Sequence, residues 1–179
     1  MTEVNSMNEE ELTKALTYAG FILVAFELAK GMIVKPIKAF YENVTFGEGM
    51  PFKTYEEDVL SRHKNQFEAS VLYLRDVMEA IDSEDVMTIQ ALRKHRNDLA
   101  HELPEMLHNF NINDHLPLLE KTGKALFKLS NHRAYMEFGK YFSIKNIGVN
   151  WDNVKGPEYC LFEEIVAKAK ILQNKRKNA

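Results

Sequence analysis

Three side chains in one short run can do chemistry together: Arg96, Asn97 and His101, in RNDLAH. Arginine presents a planar, permanently charged fork of donors that fits phosphate oxygens. Histidine is the side-chain type that gains and loses a proton near neutral pH, so it serves as a general base or acid. Beside a ribose phosphate, the histidine would take the proton of a 2′-hydroxyl. The freed oxygen would attack the adjacent phosphorus, and a proton would return to the leaving 5′-oxygen. Arginine would stabilise the charge developing on the phosphate, and Asn97 would orient the histidine or the phosphate. Those parts suffice in principle for RNA cleavage without a metal.

The element that carries them reads as an amphipathic helix from about Glu84 to Leu103, after an Asp82–Ser83 cap signal. Its apolar seam runs Ile89, Leu92, Arg96, Leu99, Leu103, Met106, alternating steps of three and four. Arg96 thus falls where a hydrophobe is expected, and a charge on such a face needs a partner or a task. On an ideal helix Arg96 and His101 diverge by about 140°, whereas Asn97 and His101, one turn apart, share a face. Packing of this helix on its twin across a two-fold axis would let two chains complete one site. Two structural readings stand beside the chemical one. The Arg and His satisfy the helix dipole and last carbonyls, or Arg96 pairs with Glu68 or Asp76 on the preceding helix.

Five helical segments account for the pattern. The first starts near Asn8 behind a Ser6/Glu9 capping box. It is apolar on nearly all sides from Phe21 to Leu28, and Pro36 ends or kinks it, with a short turn to Tyr41. Residues 43–54 are a loop. The second helix begins after Thr54, with Glu57 completing a capping box, and its seam is Leu60, Phe67, Val71, Leu74, Met78 and Ile81. After the motif-bearing third helix and a turn over 108–114, the fourth runs from Asp114 to Tyr141. Its inner face holds Leu116, Leu119, Gly123, Leu126, Ser130, Ala134 and Phe138. A loop over 143–156 holds Trp151. The last helix, from Pro157 to Asn174, buries Tyr159, Phe162, Ile165, Val166, Ala169 and Leu172. No strand alternation persists. The expected architecture is all-α: one domain over 1–179, an antiparallel four- to five-helix bundle, with a frayed N-terminus (1–7) and a basic tail (174–179).

Composition sets outer limits. The net charge of −3 provides no global reason to bind nucleic acid, so any such contact needs a local basic patch. Arg93, Lys94 and His95, adjoining the motif, are the candidate RNA rim, with Lys175, Arg176 and Lys177 of the tail as further phosphate contacts. One cysteine, Cys160, excludes an internal disulfide framework and a cysteine-based zinc site, and reads as packing. No secretory signal is evident, and Glu27 and Lys30 interrupt the most apolar stretch, which is read as a buried central helix rather than a membrane span. A cytoplasmic, non-membrane protein is expected. His101, His108 and His115 recur at intervals of seven, but Pro104 and the turn between them make a poor metal set. His63, His95 and His132 read as solvated. Neither a metal nor a cofactor is expected.

RNDLAH, late in a long helix of an all-α chain, resembles the signature of the HEPN superfamily (higher eukaryotes and prokaryotes nucleotide-binding domains). That signature is an arginine commonly followed by Asn, Asp or His, then a histidine after four to six intervening residues. Arg96, Asn97 and His101 match it position by position. The resemblance implies an HEPN-like helical bundle, a homodimer whose two motif-bearing helices meet, and metal-independent endoribonuclease activity in a prokaryotic toxin or phage-defence system. It also implies an antitoxin or regulatory protein as a candidate partner. Other members have lost activity and serve as interaction or nucleotide-binding modules. The chain departs from one subgroup whose histidine is followed by any residue and then a tyrosine, the target of a nucleotidyltransferase partner. Here Glu102 and Leu103 follow His101.

Overall fold

The computed structural model describes residues 9–43, 53–107, 112–138, 148 and 150–174. Among them there is no strand. The elements are α1 (Glu9–Asn43), α2 (Tyr55–Asp58), α3 (Gln66–Asp76), α4 (Ser83–Leu107), α5 (Ile112–Phe138) and α6 (Pro157–Asn174), with single 3-10 turns at Leu60–Arg62 and Trp151–Asn153. The chain is all-helical, as expected. Ser6, residues 108–111 of the expected turn, Tyr141 and the tail residues Lys175, Arg176 and Lys177 lie outside the described residues, and residues 112–114 of that turn are instead the first residues of α5.

α1 is the hub, packed against α3, α4, α5 and α6. Glu9, Glu10 and Glu11 place negative charge at its N-terminus, where the helix dipole favours it. Ala15, Tyr18, Ile22, Ala25, Ala29 and Ile33 recur at helical spacing and are all core. By length and composition alone α1 is apolar enough to cross a membrane, and 44% of its most apolar window is buried within the protein. Pro36 neither ends nor divides it, because α1 runs unbroken to Asn43. The proline removes one ladder bond, a cost of roughly 3 kcal/mol in an isolated helix interior. Burial of Ile33 and Ile37 on either side offsets that cost.

The expected second helix is two. Thr54 and Glu57 form the anticipated capping box at α2. The chain then leaves the helix, and Asn65 caps a new one, its side-chain oxygen accepting from the amides of Phe67 and Glu68. An asparagine that satisfies two free amides competes with helix continuation, so α3 starts afresh at Gln66. Phe67, Val71 and Leu74 of the expected seam still point inward.

α4 starts as expected: Asp82 accepts from the amides of Glu84 and Asp85, and Asp85 returns a bond from the Asp82 amide. Lys128 of α5 bridges both carboxylates, 2.9 Å from Asp82 and 2.6 Å from Asp85. Together these contacts hold the Asp82 carboxyl near pKa 2, well below the ordinary range. One core joins the helices, with Tyr18, Ile22, Ile89, Leu92, Leu99, Leu119, Leu126 and Phe162 fully enclosed. Phe162 packs over Gly123, where an added Cβ would sit 3.5 Å from the ring. Ser130 accepts from the Gly156 amide at 2.7 Å, anchoring the entry to α6. Phe138 and Cys160, expected inside, are exposed, and Leu172 and Val166 are only half-buried. Val166 still packs against the edge of the core.

Candidate functional site on the fourth helix

The seam of α4 takes a different course from the one its spacing suggests. Val86, Ile89, Leu92 and Leu99 are buried, and the residue that fills the gap between the last two is His95, only 9% exposed. From Leu92, a step of three reaches His95 and a step of four reaches Arg96, and the fold takes the step of three. His95 faces Tyr18 of α1, ring centroids 6.5 Å apart at 51°. Burial pushes the Tyr18 phenol well above its ordinary range, which keeps it protonated. His95 is therefore a core residue and does not lie on an exposed RNA-contacting rim.

Arg96 lies on the flank of the seam, its side chain 32% exposed. Its Nη1 donates to Asn97 Oδ1 at 3.1 Å, and its Nη2 lies 3.7 Å from Glu27 of α1. The guanidinium carbon sits 5.4 Å from the Phe26 ring centroid. Phe26 in turn meets Phe67 of α3 at 5.4 Å and 56°, and Arg93 covers Phe67 at 5.8 Å. Two arginines one turn apart on α4 thus bracket two phenylalanines from α1 and α3. A cation on an aromatic face is attracted by the ring quadrupole, and its alkyl stem covers apolar surface.

The two arginines have different carboxylates. Glu68, 8% exposed, accepts a short charge-assisted bond from Arg93 and a second from Gln90 at 2.9 Å. The pairing expected of Arg96 with Glu68 or Asp76 is not made. Arg93 takes Glu68, and Asp76 meets Arg62 and Arg75 instead. Arg96 is left with the longer, half-exposed Glu27 contact, and its Nε is enclosed without a hydrogen-bond partner.

His101 is exposed one turn beyond Asn97, and the helix continues through Pro104 to Leu107. Lys94 is exposed and bridges to Asp98 at 2.9 Å, a contact that raises its ammonium pKa. The structure therefore joins Arg96 to Asn97, sets His101 on the same accessible side as Asn97, turns His95 inward and commits Arg93 to Glu68. The side chains of His108 and His115 lie outside the described residues, and among those described no cluster of His, Cys, Asp and Glu could hold a metal. His63 is exposed, as expected, but His132 is half-buried.

Sequence reasoning missed the supporting residues Phe26, Glu27, Phe67 and Gln90. The one signal was Glu27 itself, a carboxylate interrupting the apolar run of α1. Comparison with protein-family models, with curated proteins and with solved structures returns no match to this chain.

Proposed function

We propose that the protein is an HEPN-like, metal-independent endoribonuclease acting as a homodimer. The observation that carries this reading is the accessible Arg96–Asn97 pair with His101 one turn further on the same side of α4. The carboxylate contact of Arg96 is long, 3.7 Å from Nη2 to Glu27, so a phosphate would compete with Glu27 for that nitrogen. His101 is the base toward the ribose 2′-hydroxyl and, on the second chain, the acid toward the 5′-oxygen. Arg96 binds the phosphate, and Asn97 positions the arginine fork through their shared hydrogen bond. The P–O5′ bond breaks as the 2′-oxygen bonds to phosphorus, leaving a 2′,3′-cyclic phosphate and a 5′-hydroxyl. A second copy would pack along α4, with Leu16 and Leu23 of α1 beside it, both exposed on the α1 stripe that ends at Glu27. The resemblance of RNDLAH to the HEPN signature supports a toxin or phage-defence role, a cytoplasmic location and an antitoxin-like regulator.

The test is RNA cleavage by purified protein in EDTA, with end-group analysis. Cyclic phosphate ends in the wild type, lost in His101→Ala, are expected. Intact RNA, or cleavage unchanged in His101→Ala, overturns the reading.

One observation favours a second reading, a non-catalytic helical dimer serving as an interaction or nucleotide-binding module. Arg96 already has a structural task, stacked on Phe26 beside Glu27. Under that reading Arg96→Ala weakens the fold, and no RNA is cut by either form.

A further inference from the structure

Between Ala19 and Val34, the most apolar stretch of α1, only Glu27 and Lys30 are charged. They form one line of charge with the motif arginine of α4. Glu27 Oε1 lies 3.7 Å from Arg96 Nη2, and Glu27 Oε2 lies 3.7 Å from Lys30 Nζ. Both contacts are about 0.8–1 Å longer than a charge-assisted hydrogen bond. All three side chains are part-exposed, so water screens the pairs and each contributes little to the fold.

The other nitrogens of Arg96 are accounted for. Nη1 donates to Asn97 at 3.1 Å, and Nε is enclosed. A phosphate therefore meets the guanidinium at Nη2, where the Glu27 carboxylate stands. The neighbouring cations of α4 are committed, Arg93 to Glu68 and Lys94 to Asp98 at 2.9 Å. Lys30 has no carboxylate among the described residues other than Glu27. A carboxylate reached by an arginine at one oxygen and a lysine at the other marks a place for an anion. A phosphate, with more oxygens and room to close both gaps, competes well with a carboxylate held this loosely.

We propose that the gap between Arg96 and Lys30 is the subsite for an RNA phosphate, with Lys30 as its second cation. Glu27 occupies that gap in the free protein as an internal competitor and swings into water when RNA arrives, a role that rests on the reading of Arg96 as a phosphate-binding residue.

The experiment is binding of a 2′-O-methyl RNA octamer to the full chain in EDTA, followed by fluorescence anisotropy. That RNA lacks the attacking hydroxyl and stays intact. At about 0.1 M salt, charges more than about 10 Å apart are largely screened. Glu27→Gln is expected to tighten binding about threefold to fivefold, as removal of one like charge at contact distance does. Lys30→Ala should weaken it by a similar factor and reduce the slope of log affinity against log salt by about 0.7, one phosphate contact fewer on a single strand. Glu42→Gln is the control. It makes the same charge change beside Lys38, about 22 Å along α1 from Glu27, and should leave affinity unchanged. A Glu27→Gln affinity equal to wild type, an equal gain in Glu42→Gln, an unchanged salt slope in Lys30→Ala, or no binding by any variant each overturns the proposal. Tightening by Glu27→Gln in a protein that cuts no RNA keeps the subsite and removes the nuclease. Cleavage that depends on His101 but not on Glu27 or Lys30 does the reverse.

Discussion

Arg96 and Phe26 stack across the α1–α4 contact, the guanidinium carbon 5.4 Å from the ring centroid. That contact fixes the head of the motif arginine beside Glu27 and Asn97, at the edge of the core rather than within it. It separates what Arg96 does for the fold from the phosphate-binding role proposed for it. The stack is apolar packing plus a modest electrostatic gain, about 0.5–1 kcal/mol at an accessible site. Arg96→Lys keeps the charge but loses the planar fork and most of the stacking. It should cost about 1 kcal/mol of stability and reduce RNA cleavage about 100-fold, as removal of one charge-stabilising donor does. Denaturant unfolding and initial cleavage rates give the two numbers. A drop in the activity of Arg96→Lys no larger than the drop in its folded fraction would leave Arg96 structural only.

His101→Ala makes the opposite combination. The side chain is exposed, so the change in stability should stay within about 0.5 kcal/mol. Loss of a general acid–base should lower the cleavage rate by about 100-fold or more. A variant that remains folded by circular dichroism and cuts RNA at the wild-type rate removes His101 from the mechanism.

Glu68 is the acidic anchor of the α3–α4 contact. Glu68→Ala removes the nearly buried acceptor that Arg93 and Gln90 share, while both donors still reach water. A loss of about 1–2 kcal/mol is expected, the worth of the lost charge-assisted bonds without an orphaned buried donor. In a double-mutant cycle Glu68→Ala and Arg93→Ala should couple strongly, and Glu68→Ala with Arg96→Ala weakly. Strong coupling of Glu68 to Arg96 would contradict the pairing described for α4.

His95→Ala tests whether that histidine belongs to the core. Removing a ring that is 9% exposed and faces Tyr18 should cost about 1–3 kcal/mol. RNA cleavage per folded molecule should be unchanged. A stable variant with lost RNA binding would instead return His95 to the substrate surface.

The cap of α4 predicts a pH response. Asp82 is held near pKa 2 when folded, by Lys128 and the Asp85 amide, against about 3.9 in an unfolded chain. A depressed folded pKa contributes stability that is complete above the unfolded value and disappears as pH falls through the folded one. The contribution of Asp82 should therefore fade between about pH 4 and pH 2. Asp82→Ala should lower Tm at pH 7, while the difference from wild type narrows through that interval. A difference that is constant from pH 7 to pH 2 would sever the link to the carboxylate.

The residues alone determined the helical class. Long stretches of apolar positions at three- and four-residue steps, few glycines and well-formed cap signals at Thr54 and Asp82 are local properties, and local hydrogen bonding realises them wherever the helices end up. The same holds for the burial of α1 and of Tyr159, Phe162 and Ala169 on α6. The candidate trio Arg96, Asn97 and His101 was also legible, because it depends on residue type and on spacing along one helix. Tertiary structure decided the rest. Whether the seam of α4 steps from Leu92 to His95 or to Arg96 is a rotation that periodicity leaves open, and the position of Tyr18 on α1 settles it. Which carboxylate meets which arginine depends on how α1 and α3 approach α4, giving Glu68 to Arg93 and Glu27 to Arg96. Pro36 shows the same division. Its local effect is to weaken a helix, but the core on both sides of it holds α1 continuous. Spacing identified three residues capable of chemistry, and packing determined which neighbouring charges were committed to the fold and which faced outward.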